Sequence, residues 1–156
     1  IITLSKALTG GTLPLAATVA NKRVVDGFWS DDPAHALMHG PTFMANPLAC
    51  AAANASLDLF ESEPRLQQVA AISASLECDL APCRDLPRVR DVRVKGAIGV
   101  VQLDRIDDLA ALRRRFVDEG VWLRPFGNIV YLAPPFTIGE ADLARLTRAV
   151  VAVLSR

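Results

Sequence analysis

The chain has 156 residues, of which 51% are hydrophobic and 22% are charged. This composition is that of globular domains, and the length suits one domain or parts of two. Its 17 acidic and 17 basic side chains cancel to a formal net charge of zero. A general nucleic-acid or anionic-membrane surface needs clustered excess lysine and arginine, so we expect neither partner.

The cysteine and histidine side chains indicate no metal site. Cys50, Cys78 and Cys83 form neither an even set nor a metal-type spacing with His35 or His39. We therefore expect free thiols in a reducing compartment. No apolar run reaches the length of a membrane span and no signal-peptide pattern is present, so the sequence predicts a cytoplasmic protein.

The first forty residues read as strands joined by loops. Apolar and β-branched residues at positions 1–4 predict the end of a buried strand, and "TLPLAATVA" (residues 12–20) predicts a second buried strand. The mixed residues 24–39 predict a loop with short ordered pieces. We expect Trp29, like Trp122 later in the chain, in a core or an interface.

Two helices are predicted in the middle of the chain. Asn46 and Pro47 supply an N-cap and a first helical residue, and the alanine-rich run after them predicts a largely buried helix. Apolar residues at three- and four-residue steps predict a second helix over residues 66–80. The interruption between the two helices suggests a domain boundary within residues 61–64.

The second half alternates strands with helices, which predicts an α/β fold. Its predicted strands are "VRDVRVKGAIGVVQLD" (89–104), "GVWLRP" (120–125) and "NIVYLAPP" (128–135), with Gly96 and Gly99 allowing close strand packing.

Two more helices are predicted in this half, over residues 107–119 and, after a capping-box pattern at residues 137–140, up to residue 154. The basic run at residues 113–115 reads as a solvated helix face.

One lysine stands where a strand gives way to a small-residue loop. Lys6 follows the first predicted strand and precedes the pair Gly10-Gly11. Open α/β sheets place ligand sites at the carboxyl ends of their strands, and an amine held there among apolar residues becomes nucleophilic. The alternative is a solvated surface lysine, which position alone favours.

Two further blocks carry side chains suited to anions. In "MHGPTFMANPLACAAANASL" (38–57), the Thr42 hydroxyl and the N–H groups of a Gly-Pro turn can donate to phosphate oxygens, although an ordinary turn fits equally. In "GVWLRPFGNIVYLAPPF" (120–136), Arg124 is costly to bury unless it meets an anion, and its guanidinium matches a carboxylate. The alternative is a rim salt bridge to a protein carboxylate.

The three blocks, in this order, resemble the class III aminotransferases, which are pyridoxal-phosphate enzymes of fold type I. The lysine block matches the family pattern at Ser5, Lys6, Ala7, Leu8, Gly10, Gly11 and Pro14. The resemblance implies that residues 1–62 are the end of a large cofactor domain. It implies that residues 63–156 are a small α+β C-terminal domain.

The resemblance also implies residue roles. Lys6 would be the catalytic lysine that binds both the cofactor and the substrate, and Pro41 and Thr42 would bind the cofactor phosphate. In a homodimer, Thr42 would reach the cofactor of the neighbouring subunit. Gly40 would lie against the substrate, and Arg124 would bind its carboxylate, with Phe126 lining the pocket.

The second and third blocks are most similar to the biotin-pathway branch of this family. Its substrates are S-adenosylmethionine and 8-amino-7-oxononanoate. The alternatives are a branch acting on ornithine or other ω-amino acids, or a non-catalytic structural role. Family members are longer and supply further cofactor-binding groups ahead of the lysine. We therefore expect the C-terminal part of a longer enzyme, inactive and poorly dimeric alone.

Overall fold

The computed structural model describes residues 1–156 as two compact units, Ile1–Pro64 and Arg65–Arg156. Both units mix helices and strands, in agreement with the α/β prediction. No helix in the chain combines the length and the apolar character needed to cross a bilayer.

The first unit contains one antiparallel pair of short strands and one long helix. Its elements are β1 (Ile2–Leu4), a 3-10 turn (Lys6–Thr9), β2 (Ala17–Val19), the single-turn helix α1 (Lys22–Val25), a second 3-10 turn (Pro33–His35) and α2 (Pro47–Ser62). Thr3 pairs with Thr18 across the two strands. Helix α2 begins as predicted, because the Asn46 side chain accepts a 3.0 Å hydrogen bond from the Leu48 N–H.

The first unit buries little of its apolar surface. Its buried residues are Thr9, Ala49 and Ala53, whereas Leu48 is 72% exposed and Trp29 is 84% exposed. The prediction that β1, β2 and α2 are largely buried is therefore wrong for this unit. Apolar periodicity shows which face an element can bury, but whether that face is covered depends on its neighbours.

The second unit is a three-stranded antiparallel sheet with packed helices. Its elements are α3 (Arg65–Leu80), a 3-10 turn (Ala81–Asp85), β3 (Val89–Lys95), β4 (Ile98–Leu103), α4 (Leu109–Asp118), β5 (Ile129–Leu132) and α5 (Glu140–Leu154). The central strand is β4. Val101 of β4 pairs with Val92 on one side and Val130 on the other, and all three are buried on one face.

That face forms the floor of one hydrophobic core. Leu76 of α3, Phe116 of α4 and Val153 of α5 are completely inaccessible to solvent. Gly99 of β4 allows a close approach, as predicted, but the group that approaches it is a side chain of helix α3 and not a neighbouring strand. A Cβ at this position would lie 2.9 Å from the Leu80 Cδ1 atom. Gly96, with φ of +55°, instead forms the tight turn between β3 and β4.

Two local predictions fail in this unit. The segment 120–125 is not a strand, and Trp122 within it is 71% exposed. Proline 125 has no N–H for a ladder, and the chain turns back so that Phe126 bridges only to Ile129. The predicted capping box at residues 137–140 is also wrong. Helix α5 begins at Glu140 with Gly139 as its N-cap, and no side chain caps it, so Thr137 lies too early.

Candidate cofactor and substrate sites

Lys6 begins the 3-10 turn that directly follows β1. Its φ of +51° is uncommon for a residue other than glycine, and such conformations concentrate at functional sites. The turn is closed by the Leu8 N–H donating to the Ser5 carbonyl at 3.1 Å and the Gly10 N–H donating to the Ala7 carbonyl at 3.0 Å. Gly10, with φ of +60°, lets the chain leave the turn.

The Lys6 side chain lines an open cleft of about 560 Å³, with Ser5, Gly11 and residues 13–16. Hydroxyl groups hold this loop in place. Ser5 Oγ donates to the Leu15 carbonyl at 3.1 Å, and Thr9 Oγ1 donates to the Leu13 carbonyl at 2.6 Å. The Lys6 amine itself makes no hydrogen bond and no ion pair. Apolar residues line the same cleft, as predicted, but the Lys6 side chain is exposed rather than buried among them.

Helix α2 supports the turn that carries Lys6. The two elements are in contact, and Ser56 Oγ donates to the Ala7 carbonyl at 3.2 Å. The buried α2 residues Ala49 and Ala53 are small, which permits a close approach of the backbones. The helix predicted from Asn46 and Pro47 therefore has a role in positioning the lysine.

The predicted phosphate-binding residues lie in the turn before α2. The Met44 N–H donates to the Pro41 carbonyl at 2.9 Å, and the Thr42 hydroxyl has no hydrogen-bond partner. Gly40 is exposed, with nothing within 4 Å of the place where a Cβ would stand. Thr42 does not line the Lys6 cleft, so the two predicted cofactor residues are not brought together within this chain.

Arg124 lies in the second unit, between the buried residues Leu123 and Pro125. Its side chain is exposed rather than buried, and its guanidinium makes no ion pair, so the alternative of a rim salt bridge is not observed. With Arg113, Phe126 and Tyr131, it lines a cavity of about 270 Å³.

Arg113 is a residue of this cavity that the sequence did not indicate. The basic run at residues 113–115 is not uniformly solvated. Arg113 Nη2 donates to the Pro125 carbonyl at 3.4 Å, and Arg115 donates to the Val153 carbonyl, whereas Arg114 makes neither kind of contact. The residues that Arg113 meets lie on another segment of the chain, so helical spacing alone could not find this contact.

The three thiols remain free. Cys83 is fully buried in the second unit, and burial raises the pKa of its thiol from 9.0 to about 11. The raised pKa keeps Cys83 protonated and unreactive near neutral pH, because the thiolate is the nucleophilic form.

These residues match a cofactor that combines an aldehyde with a phosphate. A primary amine without a competing partner can condense with the aldehyde, and the free Thr42 hydroxyl is a donor for a phosphate oxygen. Lys6 therefore suits the aldehyde of pyridoxal phosphate and Thr42 suits its phosphate, the cofactor that the resemblance implies, although the two residues do not line one cleft within this chain.

Comparison with known proteins gives one consistent result. The sequence matches the family aminotransferase class III over residues 1–154. The adenosylmethionine-8-amino-7-oxononanoate aminotransferase of Mycobacterium leprae is 48% identical over 98% of this chain and 35% of its own length. The structure of the enzyme of that name from Methanocaldococcus jannaschii matches with a TM-score of 0.85 and 29% identity, covering 97% of this chain and 37% of its own.

A third similar protein carries the cofactor. An amine transaminase from an uncultivated Pseudomonas species, solved in its pyridoxal-phosphate-bound form, is 33% identical with a TM-score of 0.86, covering 99% of this chain and 38% of its own. Our chain thus spans little more than a third of the length of these relatives. Because the family match extends over nearly all of its residues, the chain belongs to the class III aminotransferases, whose cofactor is pyridoxal phosphate.

Proposed function

We propose that this chain supplies the lysine, phosphate-binding and carboxylate-binding residues of a biotin-pathway aminotransferase. The reaction transfers the amino group of S-adenosylmethionine to 8-amino-7-oxononanoate and gives 7,8-diaminopelargonate. The observation that carries the proposal is the similarity to enzymes of that name, which runs through the lysine, threonine and arginine blocks alike.

Lys6 performs the proton transfers in this proposal. Pyridoxal phosphate, when bound, supplies an electron sink for the negative charge that develops at the substrate Cα. Lys6 Nζ would hold the cofactor, and the same amine would remove the proton from the donor Cα as a general base. No hydrogen bond restrains this amine, so it is free to return the proton later as a general acid.

Thr42, with Pro41, binds the phosphate of the neighbouring subunit's cofactor in a homodimer. Two observations support this arrangement. The Thr42 hydroxyl has no partner within its own chain, and Thr42 does not line the cleft of its own Lys6. Gly40, which lacks a side chain at the exposed start of this turn, leaves room for the substrate.

Arg124 binds the carboxylate of 8-amino-7-oxononanoate. Its unpaired guanidinium borders a cavity and can form a bidentate pair with a carboxylate, which is the geometry this group favours. One site must accept two unlike substrates in turn, and Arg124 anchors the keto acid.

The division of the chain into units supports a domain assignment. We assign residues 1–62 to a large cofactor domain and residues 63–156 to the small C-terminal domain. The first compact unit ends at Pro64 and the second begins at Arg65, close to this boundary. The free thiols support a cytoplasmic location, because unpaired cysteines are the rule in a reducing compartment.

The proposal is tested first by chemical trapping on Lys6. The protein is incubated with pyridoxal phosphate, reduced with borohydride and digested, and the modified peptide is identified by mass spectrometry. We expect the adduct at Lys6 and its loss in Lys6→Ala. The control is Lys22→Ala, because Lys22 is an exposed lysine of the same unit that pairs with Asp26 at 2.6 Å. An adduct distributed over Lys22 and other lysines contradicts the assignment of Lys6.

A donor assay tests the branch of the family. The protein as its gene encodes it is supplied with 8-amino-7-oxononanoate and either S-adenosylmethionine, ornithine or another ω-amino acid. We expect diaminopelargonate only with S-adenosylmethionine. Turnover with an ω-amino acid alone assigns the protein to another branch, and trapping at Lys6 without turnover of any donor favours the non-catalytic alternative.

A further inference from the structure

Three cavities of the second unit are lined by arginines, and only the cavity of Arg124 has no acidic residue in its wall. In a cavity of about 240 Å³ beside Asp107, Arg88 and Arg105 both donate to the Asp107 carboxylate, at 2.9 and 2.8 Å. The Asp107 carboxylate balances part of their charge. In the cavity of Arg124, neither Arg124 nor Arg113 meets a carboxylate.

Arg113 is held at this second cavity by a single backbone contact. Its Nη2 donates to the Pro125 carbonyl at 3.4 Å, and Pro125 directly follows Arg124. A guanidinium carries five N–H donors, so this one weak contact leaves the others free to bind a ligand. The same contact keeps the two guanidinium groups on the wall of one cavity.

The rest of the cavity wall suits an aliphatic chain. Phe126 and the half-buried Tyr131 supply aromatic surface, and Pro125 is apolar and almost fully buried. A cavity with two unpaired cations and an apolar wall fits a carboxylate at the end of a hydrocarbon chain. No carboxylate of the cavity wall balances these two guanidinium groups, so the charge of a bound carboxylate would be attracted by both.

We propose that Arg113 is a second carboxylate-binding residue, which shares the carboxylate of the keto-acid substrate with Arg124 and selects acids over neutral molecules. This inference rests on the proposed function for the identity of the substrate. The carboxylate site itself rests on the cavity and can be tested separately.

Binding of heptanoate tests the inference directly. The protein is titrated with heptanoate at pH 7.5 and low salt, and the backbone amide signals of Phe126 and Gly127 are followed by NMR. Heptanamide, which is neutral and has the same length, serves as the ligand control. Arg114→Gln is the protein control, because Arg114 is the exposed neighbour on the same helix and does not line the cavity.

The expected pattern separates binding from positioning. We expect Arg113→Gln to raise the Kd for heptanoate about tenfold, which corresponds to about 1.4 kcal/mol and to the lower end of the range for a charge-assisted hydrogen bond. Arg113→Lys should raise it less, because the charge remains without the planar fork. Arg114→Gln should leave it unchanged, and heptanamide binding should not respond to Arg113→Gln.

Several results would overturn the inference. The first is that the native protein does not bind heptanoate. The second is that Arg113→Gln binds heptanoate as tightly as the native protein does. The third is that Arg113→Gln and Arg114→Gln lose the same amount of affinity for heptanoate. Parallel losses for heptanoate and heptanamide would also overturn it, because Arg113 would then only position Pro125. If the S-adenosylmethionine assay fails while heptanoate binding still depends on Arg113, the proposed function is wrong and the carboxylate site stands.

Discussion

The two units of this chain hold their proposed functional residues by different means. In the first unit Lys6 sits on a turn closed by hydrogen bonds, with Ser5 and Thr9 hydroxyls fixing the loop beside it. In the second unit Arg124 sits between two buried neighbours, Leu123 and Pro125, on the edge of the main core. Local polar contacts position the lysine, whereas apolar packing positions the arginine.

The same contrast appears in how each unit uses its apolar residues. Every member of the main core cluster, from Ile72 to Val153, belongs to the second unit. In the first unit large apolar side chains such as Phe43 and Leu48 stay exposed. The difference teaches that the unit carrying Lys6 is the one whose stability depends least on its own core. Local opening is therefore expected there first.

The largest expected effect comes from a matched pair of phenylalanines. Phe116→Ala empties a site that is completely buried, and such truncations cost about 3 to 5 kcal/mol. Phe43→Ala in the first unit changes a side chain that is 81% exposed and should stay within about 0.5 kcal/mol. Native-state hydrogen exchange, read at Val101 in β4 and at Ala53 in α2, measures both. If Phe116→Ala and Phe43→Ala lowered the unfolding free energy by similar amounts, the contrast between the units would be contradicted.

A smaller effect depends on pH and is confined to the second unit. The Cys83 thiol has a pKa of about 11 in the folded state and 9.0 without burial. Between these values the unfolded chain loses the proton while the folded chain keeps it. Stability is therefore complete below pH 9 and falls as the pH rises towards 11, by about 2 kcal/mol.

Urea unfolding at pH 8, 9, 10 and 11 measures this decline for the native protein and two variants. Cys83→Ala should lack the part of the decline that comes from this thiol. Cys50→Ala, which removes a half-buried thiol of the first unit, should keep it. A decline that is the same in the native protein and Cys83→Ala would show that burial of this thiol makes no difference to stability.

The smallest expected effect comes from the helix caps, one in each unit. Asp108 accepts a 2.8 Å hydrogen bond from the Ala111 N–H at the start of α4, as Asn46 does from Leu48 at the start of α2. Removal of either cap by substitution with alanine costs about 1 kcal/mol. We expect Asp108→Ala to lower the unfolding free energy read at Val101, and Asn46→Ala to increase exchange only within α2. Equal effects of both variants at Val101 would show that the units unfold together.

Local signals in the sequence predicted the helices well. The start of α2 at Asn46 and Pro47 and the extent of α3 follow from groups that satisfy or interrupt hydrogen bonds within a few residues. The capping box failed because Gly139, with no side chain to donate or accept, was the true N-cap of α5. The roles of Lys6, Thr42, Gly40, Pro41 and Arg124 stay predictions until the trapping and binding experiments are done.

What the sequence determined by itself is therefore the family, the α/β character and the start of the principal helices, because each depends on residue types at short spacings. Only the tertiary structure decided which apolar faces are covered, that segment 120–125 is not a strand, and that Arg113 meets Pro125 across two elements. Burial and long-range contacts depend on which surfaces meet in space, and that information is absent from any local pattern. Only the structure showed that Arg113 and Arg124 line the same cavity.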